Sequence, residues 1–573
     1  MAATILSLLC LQRIFSATQQ FTVDSALKDV NFWNRIARDN INRKFNADPR
    51  QLETKKPKNI ILFIGDGMGV PIVTSARINK NQVSGKPYLN EPLFFENFRS
   101  AGLVKTSSLS HHVTDSAAGA VALVTGRKVT STTLGWKPNS LTGKENCTND
   151  RSRHITDGIA EGALQKGLAV GFVTNTRVTH ATPASLYAKG VHRNIENDRN
   201  AKAMRADCPD IARQLLSYPA SEFKVLMGGG VENLLNTSRG GERRDGRNID
   251  IEWSRLGGRR RVLRNENDLL AVTPSDEKLL GIFAKSHLPM YIQEQVMGTK
   301  KVPRLMEMTA KAIEQLQHGE QGFFLMVEGG IIDIAEHQNL INVAFAELYE
   351  FDEAIRKARE ITDPTETLII VTADHDHAFT LPGYLPVEER IIGNSITEHK
   401  NGDGAGLYEV PGVLFVGGPG FDGDALKIDK NVAQRPKIAG PFYRPPTPVP
   451  MPNGPHGGVD VGIWADGPYS ELFSSTIENT EVAYIIKFLL CTNNTDYTIC
   501  DASGSSHHFT KRIVDRVGPN AIVLIGALLI AMTILSILVA VVVIVLLVMQ
   551  RRSHSRNLDL NDESFGSGSK SPV

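Results

Sequence analysis

Three short apolar runs of this 573-residue chain are each followed by carboxylates, and this pattern constrains the fold more than any other feature. Uninterrupted apolar runs of this length predict strands of a parallel sheet that is buried on both faces. In open α/β sheets, ligands bind outside the carboxyl ends of the strands. The runs and the acidic residues that follow them are 59–65 with Asp66, 322–327 with Glu328, and 367–372 with Asp374.

Histidines stand close behind two of these runs. Asp333 and His337 follow Glu328, and His375 and His377 follow the third run. Because the carboxyl ends of neighbouring parallel strands meet at one edge, we expect these side chains to lie together. That much negative charge repels itself unless cations neutralise it, and mixed Asp, Glu and His sets suit Zn²⁺ and Mg²⁺. The sequence therefore predicts a centre for several divalent metals.

The length and a charged fraction of 22% allow a large core. We predict an α/β fold with a central, mostly parallel sheet flanked by helices, including helices over 116–124, 155–166, 304–317 and 344–359. The Gly- and Pro-rich stretch 382–455 is expected to be an insert. The net charge of +1 gives no sign of a polyanionic partner, so we predict no nucleic-acid binding.

The chain has five cysteines, of which Cys10 lies in an apolar leader. We expect the other four in disulfides, because further signals place the chain outside the cytosol. Four cysteines allow three connectivities, and the sequence alone leaves the choice open. These four are Cys147, Cys208, Cys491 and Cys500.

Both ends carry targeting signals. Residues 1–17 are predicted to be a cleaved signal peptide, although the leader has no basic residue before its apolar run. Residues 521–549 form an uncharged apolar run long enough to span a bilayer, and the arginines behind it place the tail in the cytosol. We therefore expect a cell-membrane protein whose main domain is extracellular. A glycosylphosphatidylinositol signal near 501–506 is the alternative, but such tails are shorter and end apolar.

Sequons for N-glycosylation fit an extracellular domain. Isolated sequons also occur by chance, so they support the other signals and do not stand alone. They lie at Asn146, Asn236 and Asn493.

A second motif, at 111–120, centres on Ser116. The serine begins a run of small residues predicted to be helical, so it lies at the positive end of a helix dipole. An ordinary N-cap is the commoner role for such a serine. No Gly-x-Ser-x-Gly motif surrounds it, which disfavours a Ser-His-Asp hydrolase, and a metal could activate the hydroxyl instead. Arg193 could clamp phosphate oxygens with Asp115 in support, although a surface ion pair is the alternative.

Together these motifs resemble those of the alkaline phosphatases, most closely the membrane-bound animal type. The resemblance covers roughly residues 25–500. The number and order of the motifs argue against chance agreement. They are Ile64-Gly-Asp-Gly-Met-Gly69, Asp115-Ser116-Ala117, Thr176-Arg-Val-Thr-His-Ala-Thr-Pro183, Gly240-Gly-Glu-Arg-Arg-Asp-Gly246, Val327-Glu-Gly-Gly330 and Thr372-Ala-Asp-His375.

The resemblance implies a hydrolase of phosphate monoesters that forms a phosphoserine, with two zinc ions and one magnesium ion. It assigns the first zinc to Asp333, His337 and His456. It assigns the second zinc to Asp66, Ser116, Asp374 and His375, and magnesium to Asp66, Thr182 and Glu328. Of the supporting residues, Arg193 would clamp phosphate with Asp115, His180 would lie in the outer shell of magnesium, and His377 would orient Asp333.

Three positions depart from the family pattern. Ile334 stands where family members often have His or Lys near the phosphate site, so we expect a change in phosphate affinity and pH dependence. Asn453 stands where many animal members have an acidic residue, so we expect a change at the rim of the active site. Ala284 stands where vertebrate members have a calcium-binding Glu, so a calcium site is doubtful.

The resemblance also implies a homodimer, and disulfides that join Cys147 to Cys208 and Cys491 to Cys500. The predicted division of the chain is a signal peptide (1–17), a dimer-arm helix with its linker (18–58), a catalytic body (59–381), a crown-like insert (382–455), the end of the catalytic body (456–500), a juxtamembrane stalk (501–520), a transmembrane helix (521–549) and a cytoplasmic tail (550–573).

Two other functions compete with this interpretation. Sulfatases of the same superfamily need a Cys/Ser-x-Pro-x-Arg motif, which the segment after Ser116 lacks, and related phosphodiesterases generally lack the clamp assigned to Arg193. A catalytically inactive surface-binding protein is the alternative from a different class. Such a protein should have lost metal ligands, and here each of them is present.

Overall fold

The computed structural model describes residues 25–47, 56–86, 90–138, 151–204, 208–300, 302–319, 321–387, 389–399, 406–423, 440–492 and 532–550. They fall into two units, one within Met1–Asn493 and one within Asn494–Val573. The predicted signal peptide, stalk and cytoplasmic tail lie outside the described residues, as do Cys10, Cys147, Cys500, Asn146 and Asn493.

A ten-stranded sheet forms the centre of the first unit, in the order β18-β2-β17-β8-β1-β7-β3-β4-β6-β5. All neighbours are parallel except β17, which runs antiparallel to both β2 and β8. These strands are β1 (Asn59–Gly65), β2 (Ser100–Lys105), β3 (Ala169–Arg177), β4 (Val225–Gly229), β5 (Arg260–Leu263), β6 (Lys278–Ile282), β7 (Phe323–Gly329), β8 (Thr367–Thr372), β17 (Val461–Asp466) and β18 (Ser475–Glu478). The mostly parallel sheet predicted from the sequence is confirmed.

The three apolar runs form adjacent strands at the centre of this sheet. β1 lies between β7 and β8, with Ile60 opposite both Phe324 and Leu368. Every residue of the three strands is buried, which explains why the runs are apolar on both faces. Since β3 pairs with the far side of β7, four parallel strands present their carboxyl ends side by side.

Helices flank the sheet. They are α1 (Val30–Ala47), α2 (Val70–Val83), α3 (Ser116–Thr125), α4 (Ile159–Gln165), α5 (Ala181–Ala184), α6 (Asp198–Ala203), α7 (Ile211–Gln214), α8 (Val231–Leu234), α9 (Ile249–Ser254), α10 (Glu266–Leu270), α11 (Tyr291–Met297), α12 (Leu305–Gln317), α13 (Ile331–His337), α14 (Ile341–Glu360) and α15 (Asn479–Leu489). Short 3₁₀ turns lie at Ser25–Lys28, Phe95–Asn97, Arg151–Arg153, Ala220–Glu222, Thr237–Arg239 and Ser470–Phe473.

Three of the four predicted helices match α3, α12 and α14 within a few residues. The fourth prediction, 155–166, places the helix start too early, because α4 begins at Ile159. The N–H of Ile155 donates to the carbonyl of Gly135 (2.9 Å), so this segment pairs with a distant stretch of backbone instead of joining the helix.

The N-terminal helix α1 packs on α15 of its own unit. Asn40 donates to a carboxylate oxygen of Glu481 (2.7 Å), and the Lys44 ammonium donates to the carbonyls of Leu472 (2.6 Å) and Ser474 (2.7 Å). In the single chain this helix therefore caps its own body.

The described part of the stretch 382–455 forms small, separate strand pairs, one of them with Phe379–Thr380, and does not join the central sheet. They are β10 (Phe379–Thr380) with β13 (Leu414–Phe415), β11 (Asn394–His399) with β12 (Gly406–Pro411), and β14 (Gly417–Gly418) with β15 (Val449–Pro450). A further pair, β9 (Asp376–His377) with β16 (His456–Gly457), places His456 opposite His377. The chain thus returns from the insert directly to the carboxyl edge of the sheet.

The described part of the second unit is one helix, α16 (Met532–Gln550). It is long and apolar enough to cross a membrane, and its residues are exposed. It overlaps the predicted span of 521–549 from Met532 onwards and ends one residue beyond it, at Gln550.

Candidate active site

The carboxyl ends of the central strands bring the predicted acidic residues together. Asp66 follows β1, Glu328 lies near the end of β7, and Asp374 and His375 follow β8, all fully or almost fully buried. Gly67 makes this crowding possible: its φ of 73° favours glycine, and a Cβ there would lie 2.8 Å from the His377 ring.

One group of ligand atoms comprises Asp333, His337, His377 and His456, whose atoms lie within 4.8 Å of one another. Asp333 and His337 are four residues apart on α13 and so share one helix face. The Nε2 atoms of His337 and His456 each lie 3.4 Å from Asp333 Oδ1, and that of His377 lies 2.6 Å from it. The group is a compact set of one carboxylate and imidazoles.

Two backbone carbonyls fix the rings of this group. His337 Nδ1 lies 2.6 Å from the carbonyl oxygen of Gly454, and His456 Nδ1 lies 2.9 Å from that of Thr114. A carbonyl oxygen can only accept, so both Nδ1 atoms carry the proton. The two Nε2 atoms then lie 3.1 Å apart beside Asp333, an arrangement typical of histidines that bind one metal through Nε2.

A second group combines Asp66, Asp374 and His375 with the predicted nucleophile. Ser116 Oγ lies 3.2 Å from both Asp66 Oδ1 and His375 Nε2, and His375 Nε2 lies 3.2 Å from Asp66 Oδ1. Ser116 is the first residue of α3, whose N-cap is Asp115. The serine is therefore not the N-cap, and its hydroxyl points at carboxylate and imidazole atoms instead.

The third group comprises Asp66, His180 and Glu328. Arg193 Nη2 lies 3.0 Å from His180 Nε2, and an arginine can only donate, so Nε2 accepts. His180 Nδ1 then carries the proton of the neutral ring and points at Glu328 Oε1, 3.4 Å away. Both ring nitrogens of His180 are thus engaged with protein atoms.

Arg193 and Asp115 meet beside the nucleophile. Arg193 Nη1 lies 3.4 Å from Asp115 Oδ2, and Asp115 also accepts from the N–H groups of Thr132 (2.8 Å), Ala117 (3.2 Å) and Ala118 (3.4 Å). Burial opposes the charge of Asp115, but Arg193 and these N–H groups hold its pKa below the ordinary value. The anionic carboxylate therefore orients the guanidinium next to Ser116.

The electrostatics of the centre call for cations. Burial first, and then repulsion from Asp66 and Asp333, raise the pKa of Asp374 well above its ordinary value. Oδ2 of Asp66, Oδ2 of Asp374 and Oγ1 of Thr182 are buried and have no hydrogen-bond partner in the described part of the chain. Buried polar atoms of this kind normally find partners, so these donors fit divalent metals.

Some residues of the site were not predicted from the sequence. Thr174 and Thr176 both donate hydroxyl hydrogen bonds to Glu328 Oε2, the latter at 2.8 Å. Glu336 and Asp376 are further carboxyls buried close by. The alternating Thr-Asn-Thr at the end of the apolar strand β3 was a signal that could have identified the two threonines.

Among the departures from the family pattern, Ile334 is half-buried and Asn453 is exposed. The carbonyl of Ala284 accepts from the N–H groups of Gly230 (3.0 Å) and Val231 (3.2 Å). The doubt about a calcium site at this position stays a prediction.

Comparisons with known proteins agree with this geometry. The chain is 34% identical over 491 residues to a membrane-bound alkaline phosphatase of Bombyx mori, covering 82% of this chain and 87% of the relative. It is 31% identical over 485 residues to the tissue-nonspecific alkaline phosphatase of Homo sapiens, covering 81% and 89%.

Solved alkaline phosphatases share the fold. The enzyme from Thermus thermophilus superposes with a TM-score of 0.55 at 22% identity, covering 77% of this chain and 93% of the other. That from the Antarctic bacterium TAB5 gives a TM-score of 0.52 at 24% identity, covering 77% and 100%. The family model for alkaline phosphatase matches residues 57–492, and the chain belongs to the alkaline phosphatase family.

Proposed function

We propose that the protein hydrolyses phosphate monoesters to an alcohol and inorganic phosphate through a phosphoserine on Ser116. One observation carries this proposal: the buried Ser116 hydroxyl lies 3.2 Å from Asp66 and from His375, at the start of a helix and beside Arg193. A nucleophile, an anion clamp and a cluster of metal ligands thus meet at one point.

Two zinc ions and one magnesium ion fit the three groups of ligand atoms. We assign the first zinc to Asp333, His337 and His456, the second to Asp66, Ser116, Asp374 and His375, and magnesium to Asp66, Thr182 and Glu328. The donor chemistry supports this division, because the two zinc sets contain imidazoles, whereas the set of Asp66, Thr182 and Glu328 offers only oxygen atoms. When bound, the metals supply Lewis-acid stabilisation of the oxygens that attack and leave phosphorus.

The protein residues have distinct tasks in the reaction. Ser116 Oγ forms a bond to phosphorus as the bond to the leaving alcohol breaks, and water later releases phosphate from the serine. Arg193, oriented by Asp115, donates to the oxygens that stay on phosphorus and stabilises their charge.

Two histidines are proposed to support the metal ligands through hydrogen bonds. The engagement of both His180 nitrogens with Arg193 and Glu328 supports an outer-shell role for His180 beside magnesium. The 2.6 Å contact of His377 with Asp333 supports a role in orienting that carboxylate. Burial lowers the pKa of His377 to about 4, which keeps the ring neutral at working pH.

Features outside the site are proposed from the family and from the sequence. We propose disulfides between Cys147 and Cys208 and between Cys491 and Cys500. This pairing is supported by Cys208 and Cys491, which are each disulfide-bonded. We also propose an extracellular catalytic domain that is held at the cell membrane by α16, with lipid anchoring as the alternative. Glycosylation is proposed at Asn146, Asn236 and Asn493.

A homodimer is proposed as the assembly. In such a dimer, helix α1 would contact the partner subunit. It would either give up its contacts with Glu481 and with the carbonyls of Leu472 and Ser474, or keep these contacts and touch the partner with another face.

The test is release of p-nitrophenol from p-nitrophenyl phosphate by the full chain in detergent, with zinc removed and restored. We expect zinc-dependent turnover that falls by more than about a thousandfold in Ser116→Ala. Ser75→Ala is the control, since Ser75 is a buried serine whose hydroxyl donates to carbonyls of its own helix. No turnover by a folded, zinc-loaded wild-type protein would overturn the proposal and favour a binding role.

A further inference from the structure

Helix α13, which carries Asp333 and His337, has no N-terminal cap of its own. It is seven residues long, and its N-cap residue Gly330 has no side chain that could accept from the first N–H groups. Gly330 and Ile331 are both buried, so water cannot satisfy their N–H groups. A helix of two turns is also too short to be stable alone. Its position must therefore depend on contacts from elsewhere in the chain.

Asn175 of β3 supplies the missing cap. Its Oδ1 accepts from the N–H groups of Gly330 (2.7 Å) and Ile331 (3.2 Å), although it lies 155 residues before Gly330 in sequence. The side chain is almost fully buried. One amide oxygen thus satisfies two of the N–H groups at the start of α13.

The other end of the amide is held as well. Asn175 Nδ2 donates to Glu347 Oε2 on α14 (3.3 Å), and Glu347 Oε1 accepts from the N–H of Tyr291 (2.6 Å). The amide has its oxygen facing two donors and its nitrogen facing an acceptor, so it has one favourable orientation.

We propose that Asn175 is a positioning residue of the metal centre, which caps α13 from the central sheet and thereby places Asp333 and His337 for zinc. This inference rests on the zinc site of the proposed function. The two neighbours of Asn175 act on the opposite face of β3, where Thr174 and Thr176 fix Glu328. Three consecutive residues of one strand thus hold both α13 and the magnesium carboxylate.

Zinc affinity tests the proposal without relying on turnover. Metal-free full-length protein is titrated with Zn²⁺ against a chelating indicator. The binding step that is absent from His456→Ala is assigned to the zinc site that contains Asp333. We expect Asn175→Ala to weaken this step by about 10- to 100-fold, the usual cost of losing an outer-shell partner. Asn175→Asp keeps the acceptor for α13 and is expected to retain most of the affinity at pH 7.

A matched control separates positioning from general destabilisation. Asn79→Ala removes another buried amide, which donates to the Tyr349 hydroxyl (3.0 Å) on α14. We expect it to lower the melting temperature of the metal-free protein about as much as Asn175→Ala, with unchanged zinc affinity.

The outcomes are distinguishable. Wild-type zinc affinity in Asn175→Ala, or an equal loss of affinity in Asn79→Ala, would overturn the positioning role while leaving the proposed function intact. A wild-type protein that binds no zinc would overturn the proposed function, and the positioning role with it.

Discussion

Two buried clusters of charge in this molecule are built in opposite ways. Arg243 is fully buried and is surrounded by acceptors: its guanidinium donates to both oxygens of Asp210 (2.8 and 3.1 Å), to both oxygens of Asp245 (3.2 and 2.5 Å) and to the carbonyl of Asn233 (3.2 Å). Among the candidate metal ligands, by contrast, carboxylates crowd one another, and Oδ2 of Asp66 and of Asp374 have no hydrogen-bond partner in the described residues.

The contrast shows how to separate structural charge from functional charge. Both clusters include residues of motifs that resemble those of the alkaline phosphatases, so motif membership alone does not distinguish them. Where the protein itself neutralises a buried charge, removing one partner leaves the other buried and unpaired, so such a pair is structural. Buried charge without a hydrogen-bond partner instead marks a place for a ligand. The Arg243 cluster is therefore expected to matter for stability and the carboxylate centre for metal binding.

The largest expected effect is the loss of zinc affinity and turnover when one carboxylate of the centre is neutralised. Asp374→Asn removes a proposed zinc ligand and also relieves repulsion from Asp66 and Asp333. We expect zinc affinity and turnover to fall by more than about a hundredfold, while the metal-free protein melts no lower than the wild type. Chelator competition and thermal unfolding measure the two quantities. A metal-free variant that melts clearly lower would show that Asp374 is structural.

Removing the cation from the Arg243 cluster should lower the stability of the fold. Arg243→Met leaves Asp210 buried without its cation, so we expect a loss of about 3–5 kcal/mol in the free energy of unfolding. Zinc affinity should not change at a temperature where the variant is folded. Arg255→Met, at an exposed arginine, is the control and should stay within about 0.5 kcal/mol of the wild type. Loss of zinc affinity in folded Arg243→Met would contradict the division of roles.

A smaller effect concerns Glu347, a buried carboxyl that forms no ion pair with any of the residues that the structure describes. Burial first, and then Glu350, raise its pKa from 4.5 to about 8, so the folded state keeps a proton that the unfolded state releases. This group therefore lowers stability as the pH rises from about 4.5 to 8, with no further loss above that.

The substitution Glu347→Gln removes this titration. The stability of the variant relative to the wild type should rise between pH 5 and pH 9, as measured by urea unfolding. Glu353→Gln on the exposed side of α14 is the matched control and should show no such trend. A stability difference for Glu347→Gln that does not change with pH would refute a raised pKa at this position.

The sequence was sufficient for the central strands and for the residues that meet at their carboxyl ends. The runs at 59–65 and 367–372 match β1 and β8 residue for residue, because a strand buried on both faces has no polar interruption. The acidic residues meet because parallel strands bring their carboxyl ends to one edge.

The supporting contacts could not be predicted in the same way. Asn175 caps a helix 155 residues away, and the ring orientation of His337 depends on the carbonyl of Gly454 after the insert. Such contacts depend on tertiary placement and leave no periodic pattern in the sequence. Tertiary placement also explains why α4 begins later than predicted, because Ile155 pairs with Gly135 instead of joining the helix.

The most direct test of the metal centre is a crystal structure of the zinc- and magnesium-loaded protein with anomalous diffraction data at the zinc edge. We expect two anomalous peaks, one among Asp333, His337 and His456 and the other among Asp66, Asp374 and His375, with none beside Arg243. Absence of peaks from the carboxylate centre in zinc-loaded crystals would show that these residues do not bind zinc.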